Sequence, residues 1–509
     1  MESRKYLIIS CILFLAFFLR IYRITAAPVG FFTDEAALGY NAYKLLTTGK
    51  DDHGKSWPLF FQSFGEYRIP IPIYSNIPSV VLFGLSEFSV RFTTVVYGVA
   101  TVFMLYLIGK KLGGVGLGLC AALLLAVSPW HIHISRWGSE YASFPFFFSL
   151  GLYLFLKSFK NRKMLPVSYL VFGLGLYTYY PAWFIIPVFL GFASLYWLVK
   201  ERFHHKKNLL LAIVLFLLIS LPLLKGLKDG YLLTRWNNIQ DSKMAISERV
   251  KKTLPLYFDH FGVNFLFLTG DLGYPGHFVT RQFVRGMGVF YLVQLPFFVG
   301  GILLMIYAIF TKRKEWLLIT IVLLIYPFSG ALTLDGPSTT RSVIGVIPIT
   351  LISALALCRF YKTIYRYILL WLLVGLIIAG YFVNIRSYLF NYYIEYPKYS
   401  ADFWGWQSGQ KETINYMISV EDKYDELFSA GEANGPDVLI PFYTLDNKRG
   451  CNKCALGSID KLDKSKKQLF VASPGMFDDW FTRIQSHPSK IVKEFYYPSG
   501  AVSFQAVEY

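Results

Sequence analysis

Phe31-Phe32-Thr33-Asp34-Glu35-Ala36-Ala37-Leu38-Gly39-Tyr40-Asn41-Ala42-Tyr43 begins a few residues after an apolar run from Tyr6 to Ile24. Two adjacent carboxylates beside the exit of a hydrophobic helix are costly unless solvated or used. The run at 6–24 resembles a signal peptide, but its apolar stretch is long and no small-residue cleavage site is clear. With the hydrophobic runs that follow, it reads as a retained helix. Those further runs lie at roughly 89–109, 114–130, 142–157, 165–180, 182–199, 208–224, 287–310, 315–333, 342–360 and 365–384. Crossing about 30 Å of hydrocarbon takes about 17–25 residues, fewer where neighbouring helices shelter the ends. The reading is a polytopic α-helical membrane protein with about eleven spans.

Composition agrees. The 509 residues are 54% hydrophobic and 18% aromatic, only 16% are charged, and the mean hydropathy is +0.43. Soluble proteins carry about 25% charged residues, so an ordinary soluble enzyme and a disordered chain are both excluded. Five cysteines are too few for a disulfide scaffold. The net charge of +18 would point to nucleic acid in a soluble protein. Here it sorts by loop: Arg4 and Lys5, Lys110 and Lys111, Lys157 to Lys163, Lys200 to Lys207, Lys312 to Lys314, and Arg359 to Arg366 fall on one face. Short cytoplasmic loops collect Lys and Arg, which places the N-terminus inside and leaves no call for a nucleic-acid partner. The long loops 25–88 and 225–286 and the segment 385–509 then lie outside, at the plasma membrane's external or periplasmic face. Glu2, Glu201 and Glu315 are the acidic residues of the inner loops, so the working face is external.

In the first external loop, Thr33 or Asp34 suits an N-cap and Glu35 a first turn. Glu35 to Leu46 therefore reads as a short amphipathic helix on the membrane surface. The two acids either cap it or do chemistry. Asp51, Asp52 and His53 stand in a Gly-flanked stretch that fits a solvated turn better than a metal site. A divalent metal remains possible, with none obligatory. Phe64-Gly65-Glu66-Tyr67-Arg68-Ile69-Pro70-Ile71-Pro72-Ile73-Tyr74 sets Arg68 in an aromatic, proline-bound tract at headgroup level, where a guanidinium suits a phosphate. In Ser128-Pro129-Trp130 to Glu140, His131 and His133 read as interfacial residues of an aromatic belt. Arg136 and Glu140 form either a helical ion pair or the lining of a site. Gly270-Asp271 with His277, and Arg341 at the start of a late span, add further polar groups; Arg341 also fits an interfacial snorkelling role. Tyr177 to Trp183 offers stacking surface or a belt. Neither a Walker A motif nor a dinucleotide fingerprint is apparent.

These external tracts resemble glycosyltransferase family 39, which includes protein O-mannosyltransferases and lipid A aminoarabinose transferases. The resemblance rests on Thr33-Asp34-Glu35-Ala36 with Gly39 to Tyr43, on the Phe64–Tyr74 tract, and on Ser128-Pro129-Trp130 with Arg136 and Glu140, and it covers roughly residues 1–385. It implies a GT-C fold and transfer of one sugar from a polyprenyl-phosphate donor to a lipid, glycan or protein acceptor. Asp34 is the expected catalytic carboxylate and general base, in an inverting displacement. Arg68, Arg136 and Arg341 are the expected phosphate ligands. Glu35, Tyr67, Tyr74, Glu140, Asp271 and His277 are the other expected substrate-binding residues. Against the protein mannosyltransferases of eukaryotes, residues 385–509 do not resemble β-trefoil repeats. They read as a small external α/β domain, with helix-like 409–427, strand-like 438–440, 468–471 and 501–504, and Cys451 and Cys454 spaced for a local disulfide rather than a zinc knuckle. The competing readings are a transporter or flippase for a lipid-linked sugar, and an oligosaccharide ligase or polymerase.

Overall fold

The structure, a computed structural model, describes residues 2–231, 244–271, 278–311, 313–334, 336–364, 371–446, 450–484 and 490–509. Among these, six helices are long and apolar enough to cross a membrane: Glu87–Gly113, Ala182–Lys200, Lys206–Lys228, Leu292–Phe310, Val343–Thr363 and Trp371–Tyr399. Shorter apolar helical stretches lie at Pro70–Phe83, Val115–Val127, Met164–Gly175 and Trp316–Ala331. The protein is thus a helical multi-pass membrane protein.

Prolines set where several apolar runs stop. The expected run 114–130 ends as a helix at Val127, because Pro129 drives Ser128 into an extended conformation (φ −62°, ψ 126°). The chain then starts a new short helix, Pro129–Ile134. The run 315–333 is helical from Trp316 to Ile325 and breaks before Pro327.

Helix α1, Glu2–Ile21, leads through 22–32 into α2, Thr33–Thr48, which Gly49 terminates in the left-handed conformation (φ 69°). Strands β1, Phe61–Ser63, and β2, Glu66–Arg68, then form a hairpin in which Ser63 pairs with Glu66. Its two-residue turn has positive φ at both Phe64 (51°) and Gly65 (77°), the primed geometry that matches strand twist. Helices α3, Glu87–Gly113, and α4, Val115–Val127, form the centre of the bundle together with α5, Leu295–Phe310, and α6, Val346–Ile364. Helix α7, Trp371–Phe390, is largely exposed along its length, as a lipid-facing helix is.

The C-terminal segment contains α8, Gln410–Ser419, α9, Leu439–Asp446, and a mixed sheet of β3, Glu426–Ser429, β4, Cys454–Leu456, β5, Gln468–Ala472, β6, Lys490–Tyr496, and β7, Val502–Glu508. The strand order is β4-β3-β5-β7-β6, parallel among the first three and antiparallel after. The run Val438-Leu439-Ile440, expected to be a strand, instead ends a 3-10 turn at Val438 and opens α9 at Leu439. Three apolar residues fit either period. Here Leu439, Phe442 and Tyr443 recur at helical spacing and bury against Phe31, Ala36 and Ala37, so tertiary packing chooses the helix. The same cluster joins α2, α3 and the C-terminal helices into one core. A disulfide links Cys451 to Cys454, with Cα atoms 5.5 Å apart.

Candidate active site

The site is built around the first turn of α2, where unsatisfied amides and the helix dipole favour anions. Asp34 and Glu35 both stand there, and the structure gives them opposite surroundings.

Glu35 is fully buried. Its Oε1 accepts from Arg91 Nε (2.9 Å) and from the Gly138 amide (2.7 Å), and its Oε2 accepts from Arg91 Nη2 (2.9 Å) and the Phe32 amide (3.1 Å). Arg91, also fully buried, extends its remaining donors to the carbonyls of Ile24 (2.8 Å), Pro28 (3.1 Å) and Gly30. The pair therefore pins α2, α3, the 24–30 connection and the loop at Gly138 to one another. Burial pushes the Glu35 carboxyl upward, and the adjacent Arg91 guanidinium opposes that shift.

Asp34 faces outward, with 29% of its side chain exposed. Its Oδ1 accepts from Arg68 Nη2 at 2.5 Å, while Arg68 Nε donates to Ser63 Oγ (3.1 Å) and Nη1 stands 3.8 Å from Glu140 Oε2. The tight hairpin makes this possible, because its turn folds Arg68 back beside Ser63. Asp34, Arg68 and Glu140, read separately in the sequence, thus converge. Tyr67 stacks on Tyr231 (4.0 Å between ring centroids) and its carbonyl accepts from Tyr180. Tyr74 bonds the Pro58 carbonyl (2.9 Å) and stacks on Trp57, which holds the 57–61 strand approach rather than facing Asp34.

Arg136 differs from its expected phosphate-facing position. It is completely buried, and its four terminal N–H groups end on carbonyls of Leu19 (2.8 Å), Arg20 (3.0 Å), Tyr22 (2.7 Å) and Ala27 (2.8 Å). The guanidinium satisfies the orphan carbonyls at the end of α1, with the rings of Tyr392 and Tyr393 beside it. Arg20 plays a similar part for α4, bonding the carbonyls of Leu125 and Ala126 and the Nδ1 of His131 (2.7 Å). His131 and His133 are therefore interior residues rather than members of an interfacial belt. Burial lowers the His133 pKa to about 4.

Asp271 and Arg341 belong to a neighbouring cluster. Buried Asp271 accepts from the Thr339 amide (3.1 Å) and hydroxyl (2.6 Å), and Arg341 Nη1 donates to Thr333 Oγ1 (2.7 Å). His277 lies outside the described residues. Among the described residues, no group of three His, Cys, Asp or Glu is placed to hold a metal.

The C-terminal segment reaches over the site. Thr33 Oγ1 donates to the Asn434 carbonyl, and Gly435 (φ 86°) lies so close to the Phe64 ring that a Cβ there would collide with it. Glu432 ties this loop back to the sheet through the Ser473 amide and hydroxyl, both at 2.5 Å. Between α2, the hairpin and this segment lies a cavity of about 460 Å³ lined by Tyr40, Asp52, His53, Gln62, Phe64 and Asp437.

Arg91, Arg20 and the Asn434 loop were not singled out by sequence. Arg91 carried a usable signal, since a lone cation one turn inside an apolar span needs a buried partner.

Residues 77–225 match the model of the dolichyl-phosphate-mannose-protein mannosyltransferase family. The chain is 27% identical over 202 residues to YycA of Bacillus subtilis, proposed by its name to be a mannosyltransferase; the match covers 39% of this chain and 28% of that protein. In fold it is similar to ArnT from Cupriavidus metallidurans in the apo state (TM-score 0.57, 13% identity, 100% of this chain and 98% of that one) and bound to undecaprenyl phosphate (TM-score 0.54, 14% identity, the same coverage). It is also similar to the oligosaccharyltransferase AglB from Archaeoglobus fulgidus, in complex with an inhibitory peptide and a dolichol-phosphate (TM-score 0.55, 13% identity, 99% of this chain and 74% of that one). The family match thus covers residues 77–225, and the likeness in fold to ArnT covers the whole chain. The chain spans about a third of the length of the curated relatives it matches. Asp34 and Arg68 precede the matched residues; Arg91, Arg136 and Glu140 lie within them.

Proposed function

We propose that this protein transfers a single sugar from a polyprenyl-phosphate donor to an acceptor on the external face, with Asp34 as general base. The observation that carries the reading is the division between the two acids: Glu35 is enclosed with Arg91, while Asp34 is accessible and touches one guanidinium. A prenyl-phosphate sugar keeps its lipid in the bilayer and its sugar in water. Its transfer therefore calls for an interfacial carboxylate beside a phosphate-binding cation. Asp34 takes the proton from the acceptor hydroxyl or amine as that atom forms its bond to the anomeric carbon. The bond to the phosphate oxygen breaks on the opposite face, the leaving phosphate takes the electron pair, and configuration inverts. Arg68 stabilises the charge that builds on that phosphate. Arg136 contributes by fixing the end of α1, and Arg341 is a further phosphate candidate. The acceptor approaches through the cavity under the Asn434 loop.

In this reading the two structures of similar fold that hold prenyl phosphates support the donor class, and the family match over residues 77–225 supports the reaction type. The remaining apolar helices complete about eleven spans, with the N-terminus cytoplasmic and 385–509 forming an external domain. The disulfide in that segment supports an oxidising compartment. The direct test supplies membranes with a radiolabelled prenyl-phosphate sugar and compares wild type with Asp34→Asn. Transfer retained in the variant sinks the assignment of Asp34. Lipid-linked sugar crossing the bilayer without transfer would favour a flippase, and a product carrying many sugars by mass spectrometry would favour a ligase or polymerase.

A further inference from the structure

A second polar cavity lies at the opposite end of the bundle from Asp34, on the face that the clustered cations mark as cytoplasmic. It measures about 350 Å³, and its apolar walls include Leu117, Leu304 and Leu355. Arg313, Arg359 and Lys362 also line it, brought there by two different parts of the fold: Arg313 follows α5, and the other two stand one turn apart on α6. Arg313 reaches the Leu112 carbonyl near the end of α3 (3.4 Å). The first turn of α4 closes the cavity, and its N-terminus has no side-chain cap, so its amides add to the positive field.

Topology puts cations on this face, and two of them elsewhere are paired, Lys200 with Glu315 (2.5 Å) and Arg162 with Glu201 (2.9 Å); Arg313, Arg359 and Lys362 instead converge on one opening. Among the described residues, Arg313, Arg359 and Lys362 are not paired with a carboxylate. Three uncompensated cations around an opening with an apolar floor are complementary to an anion that carries a hydrocarbon chain. Tyr307, which also lines the cavity and is two-thirds exposed on α5, continues the apolar wall toward the lipid. We propose that this cavity binds the phosphate headgroup of an anionic phospholipid, with an acyl chain lying along Leu304 and Tyr307. The proposal is independent of the transfer reaction and of Asp34.

The test reconstitutes the full chain in nanodiscs of phosphatidylcholine alone or mixed with phosphatidylglycerol. It reads retained lipid by native mass spectrometry and thermal unfolding in each. Wild type is expected to retain phosphatidylglycerol selectively and to unfold at higher temperature with it. Each cation near a charged membrane surface contributes about fivefold in affinity, so the triple variant Arg313→Gln/Arg359→Gln/Lys362→Gln should lose about a hundredfold. The single variant Arg359→Gln should lose about fivefold, and it decides the matter if the triple variant does not fold. Lys206→Gln/Lys207→Gln, which removes charge elsewhere on this face, should keep the preference. No preference in wild type, an unchanged triple variant, or equal loss in the Lys206/Lys207 variant each overturns the proposal. Equal stabilisation by inorganic phosphate in phosphatidylcholine discs would make the ligand a soluble anion and overturn the lipid.

Discussion

Asp34 and Glu35 are neighbours in sequence with the same charge, and the structure predicts that their amide variants fail in opposite ways. All four contacts of Glu35 are acceptances: Arg91 and an amide N–H meet each oxygen. In Glu35→Gln one oxygen becomes an NH2 that faces two N–H donors, and Arg91 is left buried without its counter-charge. Breaking a buried pair on one side costs about 3–5 kcal/mol. At about 1 °C of melting temperature per kcal/mol for a chain of 509 residues, Glu35→Gln should unfold about 3–5 °C below wild type. Asp34 is 29% exposed, and a partly solvated ion pair contributes about 1 kcal/mol or less, so Asp34→Asn should melt within about 1 °C of wild type. Loss of a general base lowers the rate by about 10²–10⁴-fold. The assay pairs thermal unfolding in one detergent at a fixed scan rate with sugar transfer in membranes, normalised to folded protein. Asp34→Asn should be folded and inactive; Glu35→Gln should be unstable, with activity that tracks the folded fraction. Transfer by Asp34→Asn above about one-tenth of wild type would refute the base assignment. A Glu35→Gln protein as stable as wild type would refute the strut.

The arginines should divide in the same way. Arg68→Gln is expected to leave the melting temperature nearly unchanged and to weaken prenyl-phosphate donor use at least about tenfold, measured as kcat/KM for donor. Arg136→Ala strands the buried carbonyls of Leu19, Arg20 and Ala27 and should cost at least about 3 kcal/mol, seen as a lower melting temperature before any change in donor KM. Gly435→Ala meets both a left-handed backbone and the Phe64 ring; it should lower transfer to acceptor while donor binding persists, and Phe64→Ala in the same chain should restore part of the loss. Replacing Cys451 and Cys454 with Ser opens a very short loop and should cost about 2 kcal/mol or less, with transfer unchanged at temperatures below unfolding.

Which of these roles a sequence discloses depends on what kind of partner each side chain finds. The membrane class, a helix after the first span and the Asp34–Glu35 pair were all legible, because apolar run length and the position of charge relative to a span are local properties. Arg68 was legible for the same reason, from its aromatic and proline-bound tract. Arg136 was not: its partners are the carbonyls of Leu19, Arg20, Tyr22 and Ala27, and a backbone carbonyl has no residue identity to read. Glu35 and Arg91 are 56 positions apart, so each looked solitary, although an unpaired cation inside a span and an acid at its exit are each costly alone. The number of α-helical turns that fit between prolines was local too, which is why Ser128-Pro129 fixes the end of α4, whereas Val438 to Ile440 waited on α2 to choose its period. Under the proposed reaction, the same distinction explains how the site keeps one accessible carboxylate. A charged group in this environment is stable only when its hydrogen-bonding capacity is met, and the fold meets it for Glu35, Arg91, Arg20 and Arg136 with partners that lie deep in the protein. What remains at the surface of the α2 N-terminus is Asp34 with Arg68. In the proposed reaction this pair exchanges its partners for an acceptor hydroxyl and a donor phosphate without opening the buried network that positions it.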